Sequence, residues 1–210
     1  MGQVFRRAEQ YLDQLDVGSF VEIGSSREGD GHLRVNGDGG STYTIAKWAD
    51  TYQQQFITVD MDPDQCELVR RLNIPNVSVV NQLGEEFLSN WPKHTSYISF
   101  LYLDNFDWDW HPEKTEQFVI EQQEKYKTRF GIEMNNVNSQ RAHLAQMVAA
   151  LPAMAPKSIV VCDDTWYNKW WGHYSGKSGS VVPLLLNNGY KVLYTEEDPV
   201  YGTILGRGLV

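Results

Sequence analysis

The sequence predicts a doubly wound α/β domain: a mostly parallel sheet of seven strands that ends in an antiparallel hairpin. Three observations carry this reading. Short β-rich apolar runs alternate with longer helical patterns along the chain, and strands separated by helices are joined by right-handed crossovers that make a sheet parallel and cover both faces. The last two β-runs, Tyr190–Tyr194 and Tyr201–Leu205, are separated only by the polar turn Thr195–Pro199. That is too short for a crossover helix, so they pair antiparallel. No internal repeat, low-complexity tract or Pro-, Gly- or Ser-rich linker divides the 210 residues, so residues 1–210 read as one domain.

The elements follow in order. Residues 1–16 read as an N-terminal helix and Val17–Ile23 as the first strand. Arg27–Gly39 is polar and glycine-rich, which makes residues 27–40 an inserted loop. Thr42–Tyr52 places Ile45, Ala46, Ala49 and Tyr52 on one helical face. Phe56–Asp60 is the second strand. Pro63–Leu72 is a helix with Pro63 in its first turn, where a missing N–H matters little. Val77–Val80, Tyr97–Leu103 and Ser158–Cys162 are the third, fourth and fifth strands. A helical stretch from about Pro112 to Leu151 is broken near Gly131–Asn138, where Asn135, Asn136 and Asn138 cluster. Its second half carries the stripe Leu144, Met147, Val148 and Leu151, with His143 beside it as a helix-boundary histidine. Residues 165–179 read as an aromatic lid loop, and Ser180–Asn188 as a helix.

Composition narrows the function. Apolar residues make up 41 % and charged residues 21 %, a globular balance. Eighteen basic against twenty-seven acidic side chains leave a net charge of −9. This argues against nucleic acid or an anionic membrane as partner, and leaves a small cationic ligand open. Cys66 and Cys162 are too few for a disulfide scaffold or a cysteine zinc site; both sit in core-facing segments and read as reduced. No apolar run approaches the roughly 20 residues that span a bilayer. Met1–Arg7 leads into no signal-like stretch. The expectation is a soluble, cytoplasmic protein.

The chemistry-bearing residues gather at strand ends. The first strand closes in Val21-Glu22-Ile23-Gly24-Ser25-Ser26; a glycine here permits close backbone approach to a ligand, or simply makes a tight surface turn. The second closes in Thr58-Val59-Asp60-Met61-Asp62-Pro63. Asp60 is placed to accept hydrogen bonds from ribose hydroxyls, and Asp62 to cap the following helix. Met61 suits an adenine face or plain packing. The third leads into Asn81-Gln82-Leu83-Gly84, whose amides read adenine nitrogens or make a turn. The fourth and fifth end in Leu103-Asp104 and Cys162-Asp163-Asp164. Three carboxylates on adjacent strand tips repel one another, and a divalent cation such as magnesium would relieve that. The bland alternative is that Asp164 caps a turn while Asp104 is solvated.

The order Glu22-Ile23-Gly24, Gly40-Ser41-Thr42, Thr58-Val59-Asp60-Met61-Asp62-Pro63, Leu103-Asp104 and Asp163-Asp164 resembles class I S-adenosylmethionine-dependent methyltransferases. More narrowly, it is similar to metal-dependent O-methyltransferases of the catechol and macrocin type, over residues 17 to 206. The resemblance implies the Rossmann-like methyltransferase fold. It implies that Glu22, Gly24, Ser25 and Ser41 hold the methionine end of S-adenosylmethionine, Asp60 and Met61 the ribose and adenine, and Gln82 the adenine side, with Asp104 at the same site. It implies Asp104, Asp163 and Asp164 as ligands of Mg2+ or another divalent cation. Two features depart from the pattern. About a dozen residues intervene between the glycine turn and Gly40-Ser41-Thr42, and Asn105–His111 contains no lysine where catechol-type enzymes carry one.

For the acceptor, Asp107, Asp109 and His111 follow the fourth strand closely enough to supply a base, with Asp107 and His111 as the candidates. Trp108, Trp110, Trp166 and Trp170 fall in two loops at the same edge and would wall a flat or sugar-like acceptor; loop packing or an oligomer interface is the alternative. Gly172, Gly176 and Gly179 would let the second loop move. The sequence thus leads to methylation of a small-molecule hydroxyl, assisted by a divalent metal, with no nucleic acid or membrane partner and a homo-oligomer left open. The rival readings are a metal-dependent hydroxylase-like relative, with iron held by Asp104, Asp163, Asp164 and His111, and a non-catalytic methyltransferase-like binding domain.

Overall fold

A computed structural model describes residues 3–25, 40–92, 96–196 and 201–210. Seven strands build the main sheet: β1 (Ser19–Ile23), β2 (Gln55–Asp60), β3 (Val77–Asn81), β4 (Ile98–Leu103), β5 (Met154–Asp163), β8 (Lys191–Glu196) and β9 (Gly202–Arg207). Two more, β6 (Thr165–Asn168) and β7 (His173–Gly176), form a separate antiparallel ribbon. The spatial order is β3-β2-β1-β4-β5-β9-β8. β1 to β5 run parallel, and β9 lies antiparallel to both β5 and β8. The reversed hairpin read from the sequence is therefore present. Residues 197–200, which include the last three positions of its expected turn, and 26–39, which include most of the expected insertion, lie outside the described residues.

The helices are α1 (Gln3–Glu9), α2 (Ser41–Thr51), α3 (Pro63–Arg71), α4 (Gly84–Ser89), α5 (Gln117–Phe130), α6 (Asn136–Ala150) and α7 (Val181–Asn187). Strand alternation sorts the core into two layers. Phe20, Phe56, Phe100, Tyr102 and Val161 face α1 and α2, meeting Phe5, Ile45 and Trp48. Val21, Ile23, Leu101, Leu103 and Cys162 face the opposite way, toward Leu88, Met147 and Leu185 of α4, α6 and α7. Every residue of β1 and β4 is buried, as strands covered on both faces require. Cys66 and Cys162 are free and buried. No helix among the described residues is long and apolar enough to cross a membrane.

Local chemistry sets the ends. Asp62 caps α3 by accepting the Asp64 N–H at 3.0 Å, with Pro63 following it. Asn135 caps α6 through the Asn138 N–H at 2.8 Å, and Gly131 closes α5 at φ +68°. The predicted break thus separates two helices. Three expectations are corrected. The N-terminal segment is the short α1 followed by a 3-10 turn at Leu12–Gln14, not one helix. His143 lies within α6, fully buried, not at a helix boundary. Residues 165–179 are not an irregular loop: Thr165 to Asn168 pair in register with Gly176 to His173 as a ribbon. Gly176, at φ +89°, is a packing glycine, since a Cβ there would stand 1.8 Å from the Asp164 carbonyl oxygen and 2.6 Å from the Trp166 ring.

Phe100 is fully buried and contacts Phe20 and Trp48 at ring separations of 5.2 and 5.9 Å. Phe100→Ala is expected to cost about 3–5 kcal/mol, measured by urea denaturation.

Candidate cofactor cleft and acidic centre

The site begins where β1 stops. Gly24 turns the chain at φ +93°, and a Cβ there would lie 2.3 Å from the Asp104 carbonyl oxygen. Its N–H donates to Val59 at 2.9 Å, and the Asp104 N–H donates to Ile23 at 2.9 Å. The tips of β1, β2 and β4 are thus sewn together through a residue that tolerates no side chain. Beyond it, the Ser25 N–H and hydroxyl both donate to Asp60 Oδ2 at 3.0 Å, while Asp60 Oδ1 accepts the Asp62 N–H at 2.8 Å. Burial raises the Asp60 pKa against these hydrogen bonds.

These tips open into a cleft of about 820 Å³, at the carboxyl ends of the strands, where doubly wound sheets bind ligands. Gly24, Ser25, Asp60, Met61, Gln82 and Asp104 all line it, as the sequence anticipated. Its other wall was not anticipated. Phe118, Lys125 and Tyr126 come from α5, held over the cleft by ion pairs from Lys125 to Asp62 and Arg129 to Asp64, each at 2.5 Å.

Glu22 and Ser41 do not line the cleft. Glu22 is fully buried and accepts the Thr42 and Thr58 hydroxyls, both at 2.7 Å. Burial pushes its pKa up to about 7 despite the hydroxyls of Thr58, Thr42 and Ser41. Its geometry is that of a strut joining β1, β2 and α2.

The three strand-tip carboxylates do converge. At their focus is Lys177, whose side chain is 2 % exposed. Its Nζ stands 2.7 Å from Asp104 Oδ1, 2.9 Å from Asp164 Oδ2 and 3.6 Å from Asp163 Oδ2. Asp104 Oδ2 accepts the Tyr102 hydroxyl at 3.2 Å. Burial opposes charge on the lysine, but Asp104, Asp164 and Asp163 together hold its pKa well above the usual lysine value. Burial, then Asp104 and Asp164, hold the Asp163 pKa well above the carboxylate range. Asp164 sits at φ +43°, an uncommon conformation outside glycine. These residues do not fit a dication as arranged, because an ammonium fills the point they share. Among the described residues no cluster of three or more His, Cys, Asp or Glu side chains is arranged to hold a metal. Lys177 was missed because only the β6–β7 ribbon brings it back to Asp164, whose carbonyl accepts its N–H at 3.0 Å.

The acceptor candidates separate. Asp107 is close enough to add to the charge felt by Asp164. Asp109 is a structural residue, accepting the His111 N–H and the Thr115 hydroxyl at 3.1 and 2.7 Å. The His111 side chain is 62 % exposed and faces Glu113 at 3.6 Å. It is joined to none of the three strand-tip aspartates, so the iron-type cluster does not form. Trp110 stacks on Trp166 and Tyr201 at 5.0 and 4.7 Å, and Trp108 meets Trp166 edge-on at 6.2 Å. Trp170, at the ribbon tip, is 94 % exposed and apart from that stack.

Strand order, reversed last strand and tip-lined cleft define the fold of class I methyltransferases. The comparisons agree on the fold. The O-methyltransferase NovP matches with a TM-score of 0.58 at 9 % identity, covering 97 % of this chain and 78 % of that one. MycE, a methyltransferase from the mycinamycin biosynthetic pathway solved with Mg, SAH and mycinamycin VI, matches at 0.54 and 13 %, covering 99 % of this chain and 48 % of that one. An rRNA methylase from Streptococcus thermophilus matches at 0.50 and 9 %, covering 99 % and 98 %. No protein-family model and no curated protein matches the sequence.

Glu22 makes stability depend on pH. Its folded value of about 7 lies above the ordinary 4.5, so the folded chain keeps a proton the unfolded chain releases. Its contribution is intact below about pH 4.5 and is lost as pH rises to about 7. Glu22→Gln is therefore expected to gain stability relative to wild type across that window, on the order of 3 kcal/mol, and to level off above it. Thermal melts of both chains at several pH values measure this.

Proposed function

We propose that the chain is an S-adenosylmethionine-dependent methyltransferase that methylates a hydroxyl of a small molecule. The observation that carries this is the cleft at the tips of β1 to β4, with Gly24 stripped of a side chain at its floor and Asp60, Gln82 and Asp104 around it. When bound, the cofactor supplies a methyl group on a sulfonium.

The chain's own residues supply position and charge. Gly24 lets the backbone approach the methionine end closely. Asp60, already fixed by Ser25 and Asp62, faces the cleft as the ribose acceptor, with Met61 and Gln82 beside the adenine. Asp104 stands at the edge of the transfer position, and in-line displacement needs the acceptor oxygen aligned there. Asp107 is the group we assign as base, because it follows β4 closely and stands near enough to Asp164 to act on its charge, at the edge where the acceptor would arrive. His111 is set aside, since it is exposed and directed to Glu113.

The Trp108, Trp110, Trp166 and Tyr201 stack lies on the ribbon side of the acidic centre, two residues from Asp164 at Trp166. It supports a flat or sugar-like acceptor. Neighbours with this fold include the O-methyltransferase NovP, MycE solved with mycinamycin VI, and an rRNA methylase, so the fold does not choose the acceptor. The net charge of −9 favours a small molecule over RNA.

Calorimetric titration with S-adenosylhomocysteine, without added metal, tests the reading. Wild type is expected to bind one equivalent. Asp60→Asn, which cannot accept from both Ser25 donors and ribose, is expected to weaken binding by roughly ten- to a hundredfold. Absence of binding to a folded wild-type chain would discard the proposal.

A further inference from the structure

We propose that Lys177 supplies, from within the chain, the cation that the three strand-tip carboxylates need, and that the centre therefore excludes a dication. The inference rests on carboxylate geometry and stands apart from the methyl-transfer reading.

Three observations carry it. The first is the set of distances. The ammonium nitrogen lies 2.7, 2.9 and 3.6 Å from oxygens of Asp104, Asp164 and Asp163. Magnesium requires ligand oxygens at about 2.0–2.1 Å and calcium at about 2.3–2.6 Å, so a metal at this point demands both removal of the ammonium and contraction of its neighbours.

The second is that Lys177 is fixed at its root. Its N–H donates to the Asp164 carbonyl at 3.0 Å, and the next N–H, of Ser178, donates to the Thr165 hydroxyl at 3.0 Å. That hydroxyl donates to the Asp163 carbonyl at 2.8 Å. The preceding Gly176 carbonyl accepts the Gln140 amide at 3.0 Å, and Gly176 itself has no room for a Cβ. The lysine is thus tied to the carboxylate-bearing strand tip on one side and to α6 on the other.

The third is burial. The lysine side chain is 2 % exposed, with the fully buried His143 nearby. Displaced by a metal, the ammonium would be left buried without its partners, and a second positive charge would sit against it. Burying an unpaired charge is strongly unfavourable.

The centre is therefore a carboxylate–ammonium cluster, and Lys177 a positioning residue. It aligns Asp104, which lines the cleft, with Asp164 behind it, so a group arriving at Asp104 meets a carboxylate–ammonium network and not a coordinating metal.

Electron paramagnetic resonance of free Mn2+ tests this. Equimolar wild-type chain is expected to leave the signal intact. Lys177→Met, which keeps the stem and drops the charge, should take up one Mn2+ per chain with affinity raised at least roughly tenfold, and adding Asp104→Asn should abolish that uptake. Uptake by wild type that Asp163→Asn removes would overturn the proposal. Silence in both wild type and Lys177→Met would also overturn it, because the carboxylates would then not form a cation's place. If Lys177→Met does not fold, wild type still decides: its melting temperature stays unchanged with added Mg2+, and a rise that Asp163→Asn removes contradicts the inference. A parallel metal-free titration with S-adenosylhomocysteine keeps the two readings apart, since either can fail while the other stands.

Discussion

A buried ammonium among three carboxylates is the constraint around which this end of the molecule is organised. Asp104 ends β4, while Asp163 and Asp164 end β5, and the parallel pairing of those strands delivers like charges to one place. The Tyr102 hydroxyl of β4 donates to Asp104 but brings no positive charge. Relief comes from the β6–β7 ribbon, which turns the chain back so that residue 177 lies against residue 164. The ribbon's position, the absence of a side chain on Gly176 and the left-handed turn at Asp164 all serve this juxtaposition. A buried ion cluster is weak evidence of net stability, but removing one partner leaves an uncompensated charge. The arrangement therefore specifies one geometry at the strand tips more than it adds stability.

The same tips carry the cleft. The carbonyl of Asp104 presses on Gly24 while its carboxylate takes the lysine, so one residue connects the cleft to the acidic centre. Glu22 works beneath, joining β1 to Thr58 of β2 and Thr42 of α2. Overhead, α5 is drawn down by Lys125 and Arg129 onto the start of α3. On the proposed reading, methyl transfer calls for a dry, fixed geometry and a polarised acceptor position, and these contacts hold the strand tips in one arrangement.

Much of the fold was legible because it depends on local pattern. Alternating apolar runs and helical stripes located the strands, and the short gap after Tyr194 required an antiparallel close. Asp60, Gln82 and Asp104 were legible as lining one cleft for the same reason: equivalent positions at parallel strand tips face one edge. What escaped were contacts between distant segments. Lys177 meets its carboxylates only through the ribbon's register, and aromatic content disguised that ribbon as a loop. The α5 roof depends on ion pairs 63 and 65 residues apart in sequence, Lys125 with Asp62 and Arg129 with Asp64, which no periodicity reveals. Glu22 was placed beside the cofactor because Gly24 follows two residues later, yet the hydroxyls of Thr58 and Thr42, contributed by β2 and α2, take up its carboxylate instead. Repulsion among the aspartates was read as a demand for a divalent metal ion, whereas the point they share is taken by Lys177.

The most direct measurement is the unfolding free energy of Lys177→Met against wild type as a function of pH. Without the ammonium, the folded carboxylates bind protons more tightly than the unfolded ones, so the variant should lose stability as pH rises. The account predicts a deficit of about 3–5 kcal/mol near neutral pH that shrinks steadily on acidification. Equal stability of the two chains at neutral pH, or a deficit indifferent to pH, would contradict it.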